Sequence, residues 1–163
     1  KEGLINKVGI SIYDPSEIDI VNNYKNLDLI QAPLNLMDRR LKSSGWLAKL
    51  HQAGIEIHVR SVFLQGFLLL KQNQLPLKFK KWQKNWDKWH SELKKKKVSA
   101  ISACLSYPLS LPEVDKVIVG VNSFSQLKEI LNISKKLSTN SDDWSFMISN
   151  DQMLINPTNW KEL

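Results

Sequence analysis

At 163 residues the chain can hold one ordinary domain with a sizeable core, and 42% hydrophobic against 24% charged residues excludes a disordered tail. Its longest apolar run, Gly66 to Leu70, is far too short to cross a bilayer, so no membrane partner is expected. The formal net charge of +7 raises a nucleic-acid partner, which depends on where the lysines fall.

Residues 7–11, KVGIS, read as a short strand. The stretch DPSEIDIVNNYKN (14–26) then starts a helix, with Asp14 as N-cap, Pro15 in the first turn and Glu17 closing a capping box. Residues 27–32, LDLIQA, give a second strand, and the loop PLNLMDRR leads to a helix near 43–53 that Gly54 stops. Residues 55–61, IEIHVRS, form a third strand. Residues 98–110 read as a mostly apolar helix ending around Pro108, and residues 116–120, KVIVG, as a fourth strand. Ser123 and Gln126 make a second capping box, before a helix whose face carries Phe124, Leu127, Ile130, Leu131 and Leu137.

Between the third strand and the apolar helix lies a Trp/Lys-rich helical insertion at about residues 71–97. Trp82, Trp86 and Trp89 recur at spacings of four and three, so on a helix they share one face. Lysines interleaved with aromatics could serve single-stranded nucleic acid. A surface helix that docks its tryptophans and solvates its lysines explains the same pattern, and nucleic acid is not the expected partner. The one cysteine, Cys104, rules out an internal disulfide and fits a reducing cytosol, so a cytoplasmic location is expected.

Strands alternating with helices imply parallel pairing with helices covering the sheet. Four such units make a small open α/β sheet or half of an eight-stranded barrel. In both, ligands bind at the carboxyl ends of the strands. There the sequence places Ser11, Gln31, Arg60 with Ser61, and Gly120 with Asn122. Polar residues at all four strand ends point to a ligand-facing rim. No metal site is expected.

In order and spacing, KVGISIY, LDLIQAPLNLMDRR, VRSVFLQGFLLL and VIVGVNSFSQLKEIL resemble the last four strand–helix units of the aldo/keto reductases. INPTNW resembles the tail of a subgroup often found among surface-polysaccharide genes. The resemblance runs from about residue 1 to residue 137. It implies the C-terminal half of a TIM (β/α)8 barrel over residues 1–140, with residues 141–163 as a tail packing on it. It also implies a nicotinamide cofactor, NADP(H), and a carbonyl substrate in the complete protein.

Carried over position by position, Ser11 and Gln31 match the pair that holds the nicotinamide carboxamide. A primary amide needs a donor and an acceptor, and a serine with a glutamine supplies both. Arg60 matches the residue that stacks on the nicotinamide ring, usually an aromatic. Ser61, Phe63 and Gln65 match the loop lining the pyrophosphate. Gly120, Asn122, Gln126 and Glu129 match the segment holding the adenosine end, where a helix N-terminus favours phosphate. Ile12 and Ile130 depart from the family pattern, since relatives often have asparagine at both positions.

The family's catalytic aspartate, tyrosine, lysine and histidine match nothing here, because all four precede the serine matched by Ser11. His51, His58 and His90, on a surface helix, within a strand and on the lysine-rich helix, are not catalytic candidates. The chain therefore reads as a cofactor-positioning half whose catalytic half is missing, inactive alone. The alternative is a non-catalytic half-barrel acting through self-association across open sheet edges, or through a complementary partner.

Overall fold

Among the described residues, four strands form one parallel sheet in chain order: β1 (Gly9–Ser11), β2 (Leu29–Pro33), β3 (Glu56–Arg60) and β4 (Lys116–Val117). The computed structural model describes residues 3–21, 27–137 and 143–163. Each crossover returns beside the strand it left, which is the order of a barrel wall and not of a doubly wound sheet. The fold is thus α/β, a parallel partial barrel.

Period-two alternation decides what each sheet face carries. Ile30, Ala32, Ile57 and Val59 are at most 1% exposed and face the helices. Their neighbours Leu29, Gln31, Pro33, Glu56, His58 and Arg60 are all half-buried, on the opposite face. In a closed barrel that second face would be the lumen.

Helices α1 (Glu17–Val21), α2 (Arg40–Ser43), α3 (Trp46–Gln52), α4 (Gln83–Lys96), α5 (Ala100–Leu109), α6 (Phe124–Ser134) and α7 (Gln152–Ile155) follow. The first cap is reciprocal as expected: Ser16 N–H donates to Asp14 Oδ1 at 2.9 Å, and Asp14 N–H donates to Glu17 Oε1 at 2.7 Å. Residues 22–26 of that expected helix lie outside the described residues. The single helix expected near 43–53 is instead two, α2 and α3, broken where Gly45 takes a φ of 81°. Gly54 ends α3 at φ 73°, with Ile55 N–H reaching back to Leu50 O at 3.0 Å. Pro108 lies inside the last turn of α5 and not beyond it.

The fourth strand is shorter than KVIVG suggests. After Lys116 and Val117 only Ile118 N–H reaches β3, bonding Val59 O at 2.7 Å. The reason is β3 itself, whose chain turns off at Ser61 with φ 60° and leaves Val119 and Gly120 without a partner strand. The apolar face of α6 is also not the buried face expected. Ile130 is buried and Leu137 half-buried, but Phe124 is 78% exposed, Leu131 48% and Leu127 37%. The helix flanks the outermost strand, and among the described residues nothing covers its far side.

The insertion docks through its tryptophans, Trp82 half-buried and the other two buried, as a docked helix requires. Trp86 and Trp89 are 2% and 0% exposed. Phe67 meets Phe79 and Trp86 with ring centroids 4.6 and 4.9 Å apart, and Trp89 meets Trp144 of the C-terminal segment at 5.1 Å. The lysines stay outside, several over ring faces, such as Lys88 over Phe146 at 4.6 Å. Buried indoles offer no stacking platform for bases. That segment is also tied to the body by Ser149 N–H to Met37 O, 3.0 Å, and Trp82 Nε1–H to Asp151 Oδ2, 3.0 Å.

Trp89 joins insertion, tail and barrel wall, and its Nε1–H donates to Leu68 O at 3.3 Å. Trp89→Ala is expected to destabilise the fold by about 3–5 kcal/mol, read from the urea-unfolding midpoint.

Candidate functional site

The strand register aligns one row of side chains across the open face. Ser11 pairs with Gln31, Gln31 with His58, and His58 with Lys116. Ser11 Oγ donates to Gln31 Oε1 at 3.3 Å, so an alcohol and an amide sit together at the carboxyl rim. One step further out, Pro33 pairs with Arg60 on the same face. The row below brings Glu56 opposite Leu29.

Glu56 gathers two lysines and a histidine. It is ion-paired with Lys7, accepts from Lys116 Nζ at 3.1 Å, and lies 2.6 Å from His58 Nε2. The hydrogen bond from Lys7, reinforced by those from His58 and Lys116, holds its carboxyl down at about 2. Barrel lumens are usually packed with branched apolar residues, so this charged layer departs from that norm.

The rim loops are organised by buried polar residues in PLNLMDRR. Asn35, 0% exposed, accepts from Met37 N–H and Asp38 N–H at 2.9 Å each. Its Nδ2–H donates to Ser61 O at 3.1 Å, which anchors the exit of β3. Arg40 donates from Nε and Nη2 to buried Asp38 at 2.9 and 2.8 Å. Its Nη1 also reaches Asp14 and, at 3.2 Å, Gln152 Oε1.

Beyond β3 a cavity of about 540 Å³ opens between the residue 60–66 loop, the end of β4 and the start of α6. Arg60, Ser61, Phe63, Gln65, Gly120, Asn122, Gln126 and Glu129 all line it. A Cβ added at Gly120 would meet nothing within 4 Å, so this backbone leaves open space toward a ligand. At the mouth Gln126 caps α6 in both directions: its N–H donates to Ser123 Oγ at 3.2 Å, and its Oε1 accepts from Asn122 N–H at 2.8 Å. The first turn of a helix offers N–H groups to an anion. Of the two isoleucines that depart from the family pattern, Ile130 lines this cavity and Ile12 is 1% exposed in the core.

Sequence reasoning expects one concave edge shared by Ser11, Gln31, Arg60, Ser61 and Gln65. The structure brings eight of the ten candidates into one cavity and leaves Ser11 and Gln31 outside it, on the open sheet face. A second cavity of about 190 Å³ shares Arg60, Ser61 and Gln65 with the first, and is otherwise walled by Tyr13, Arg40 and the tail. Tyr13, Asn35, Asp38, Arg40 and residues 155–158 were missed as site residues. The visible signals were the polar residues inside the apolar loop at 33–40 and the INPTNW tail. Cys104 is buried and its thiol is pushed up by burial, which removes it as a nucleophile. Among the described residues no group of three His, Cys, Asp or Glu side chains is placed to hold a metal.

The family model described as aldo/keto reductase family matches residues 1–147. The chain belongs to the aldo/keto reductase family. It is similar to the solved aldo-keto reductase AKR11C1 from Bacillus halodurans, with a TM-score of 0.72 to the apo form and 0.67 to the holo form. Both are 20% identical to it over 90% of this chain, and the match covers 50% of theirs. The chain thus spans about half the length of the aldo-keto reductase structures it matches. No curated protein matches it.

In this aldo/keto reductase sheet the Glu56 layer has a pH signature. A carboxyl held at about 2, below its ordinary 4.5, stabilises the fold fully above 4.5 and loses that contribution as the pH falls toward 2. Glu56→Gln is expected to lower the melting temperature at pH 7, with the gap to wild type closing between about pH 4.5 and 2. Thermal unfolding of both proteins across that range measures it.

Proposed function

We propose that this chain is the cofactor-positioning half of an NAD(P)H-dependent aldo/keto reductase that reduces a carbonyl compound in the cytoplasm. The observation that carries the reading is the Ser11–Gln31 pair on the open sheet face, together with a cavity lined by the other eight candidates. A bound nicotinamide cofactor would supply the hydride. Ser11 and Gln31 offer the complementary donor and acceptor that its carboxamide requires. Ser61, Phe63 and Gln65 would line the pyrophosphate, and Gly120, Asn122, Gln126 and Glu129 the adenosine end. The general acid and its lysine partner would come from a second half. In this reading residues 1–140 are the half barrel, the insertion at about 71–97 covers it, and residues 141–163 close over its rim.

A second reading, of a half-barrel that acts by association, is favoured by the apolar surface on both flanks. Leu4, Ile5 and Val8, which precede β1, are 84, 71 and 55% exposed, and the bare face of α6 lies at the other edge. Outer parallel strands with unpaired N–H and C=O groups seek a partner, whether a complementary half or a second copy.

The isolated chain is expected to self-associate and to show no reductase activity. Light scattering that finds a well-folded monomer at micromolar concentration would count against the half-barrel reading. NADPH oxidation that one of this chain's residues controls would count against its inactivity. In a protein with both halves, Gln31→Ala should weaken nicotinamide cofactor binding by about 1–2 kcal/mol, measured by titration calorimetry. Unchanged affinity would remove Gln31 from the site.

A further inference from the structure

The surroundings of Arg60 say where its charge is directed. The Nη2–H donates to Ile12 O at 3.0 Å, and the guanidinium carbon lies 4.6 Å over the ring of Tyr13. Both contacts draw the head group across β2 toward the β1 side. Arg60 lines both cavities, and the contact of its guanidinium with Tyr13 directs its charge toward the smaller one, which Tyr13 walls. Tyr13 and Pro33 line only the smaller cavity.

The electrostatics of this 190 Å³ space are one-sided. Its charged lining residues are Arg40 and Arg60, and no acidic side chain lines it. Arg40 is neutralised by Asp14 and Asp38. Among the described residues no carboxylate pairs with Arg60, whose acceptors are Ile12 O and, at 3.3 Å, Ser61 Oγ. A guanidinium has five N–H donors in a planar fork, so most of them remain open to a ligand. Ser61 Oγ accepts from Arg60 and keeps its own proton to donate.

We infer that the smaller cavity is the anion-binding part of a substrate site, and that the carbonyl substrate carries a carboxylate that Arg60 receives. This rests on the reductase reading above and names its substrate class. A carboxylate fits better than a phosphate. One uncompensated positive charge matches one negative charge, and the guanidinium fork matches two coplanar oxygens. A phosphate dianion would be left under-neutralised among neutral Ser61, Gln65 and Thr158. Arg60 is then not a ring-stacking substitute for the lost aromatic; Tyr13 occupies its face.

The test uses benzoate and benzamide, which share a shape and differ in charge, titrated calorimetrically into the protein carrying this chain. Benzoate is expected to bind at least ten-fold more tightly than benzamide, with the gap narrowing as salt rises. Arg60→Gln should erase the difference and Arg60→Lys should retain part of it. Should the Arg60 variants fail to fold by circular dichroism, Thr158→Trp, on the exposed tail wall of the cavity, should abolish benzoate binding. Equal affinity for the two probes, no binding of either, or a preference that survives Arg60→Gln or Thr158→Trp would overturn the inference. NADPH affinity measured on the same samples tests the cofactor reading separately. Loss of the charge preference with NADPH binding intact sinks only the carboxylate site, whereas absent NADPH binding sinks the cofactor assignment.

Discussion

The carboxyl rim depends on one half-buried guanidinium. Arg40 joins three segments distant in sequence: the loop after β1 through Tyr13 O and Asp14, its own loop through Asp38, and the tail through Gln152. Asp38 is 1% exposed, so its charge is tolerable only because Arg40 meets it with two hydrogen bonds. The arginine stays firmly protonated because Asp38 hydrogen-bonds to its charged form, which raises its pKa further. The small cavity exists because this clamp holds the tail residues 155–158 across from Tyr13 and Arg60. A neutral residue at position 40 would leave two carboxylates together and remove one of the bonds that hold the tail.

A second constraint is the difference between the two faces of the sheet. The helix-covered face is fully apolar, and its packing alone commits the strands to their register. Slipping β2 by one residue would bury Gln31 and expose Ile30 and Ala32. The open face can therefore afford the charged Glu56 layer, whose members satisfy one another and need no apolar cover. That layer limits what can close the barrel. A second half presenting only branched apolar side chains would desolvate Lys7, Lys116 and Glu56 with little return, so a complementary half must bring polar or acidic groups to this level.

Much of the architecture was legible because it rests on local rules. Apolar runs bounded by Asp14, Gly54 and Ser123 mark the strand–helix units, and the tryptophan spacing marks the docked helix. Of the residues expected at the strand ends, Arg60, Ser61, Gly120 and Asn122 share one cavity, while Ser11 and Gln31 pair with each other on the sheet face. What escaped was set by tertiary context. The face of α6 looks like a core face in sequence, yet Phe124 and Leu131 are exposed, since among the described residues no element packs on that side. The break between α2 and α3 depends on Gly45, and glycine alone does not say whether a helix tolerates it or stops. Ser11 and Gln31 lie together on the open sheet face, but how the neighbouring loop residues divide between two adjoining hollows depends on how Arg60 is drawn toward Ile12 O. No periodicity encodes that bend. Arg40 and Asp38 looked like loop polarity because the bonds from Arg40 to Asp14 and Gln152, distant in sequence, leave no pattern in the loop itself.

The loop from Ser61 to Gly66 shows how these constraints meet. Ser61, Leu64 and Gln65 hold φ values of 60°, 46° and 53°, in the left-handed region that side chains with a Cβ avoid. At about 1–2 kcal/mol each, three such residues would not persist in a free loop. Here the conformation is over-determined. Asn35 fixes Ser61 O, Leu64 N–H donates back to Ser61 O at 2.8 Å, and Val62 and Leu64 are 1% and 0% exposed beneath. Burying two apolar side chains contributes about 3–6 kcal/mol, enough to offset that strain. Because inward-facing Val62 and Leu64 hold the backbone, Ser61 and Gln65 are left on the cavity side with their polar groups already placed. Gly66, at φ 79°, then turns the chain so that Phe67 and Leu68 enter the aromatic cluster of the insertion. The arginine, serine and glutamine at the mouth of the most hydrophobic segment are therefore held in place by that segment's own burial.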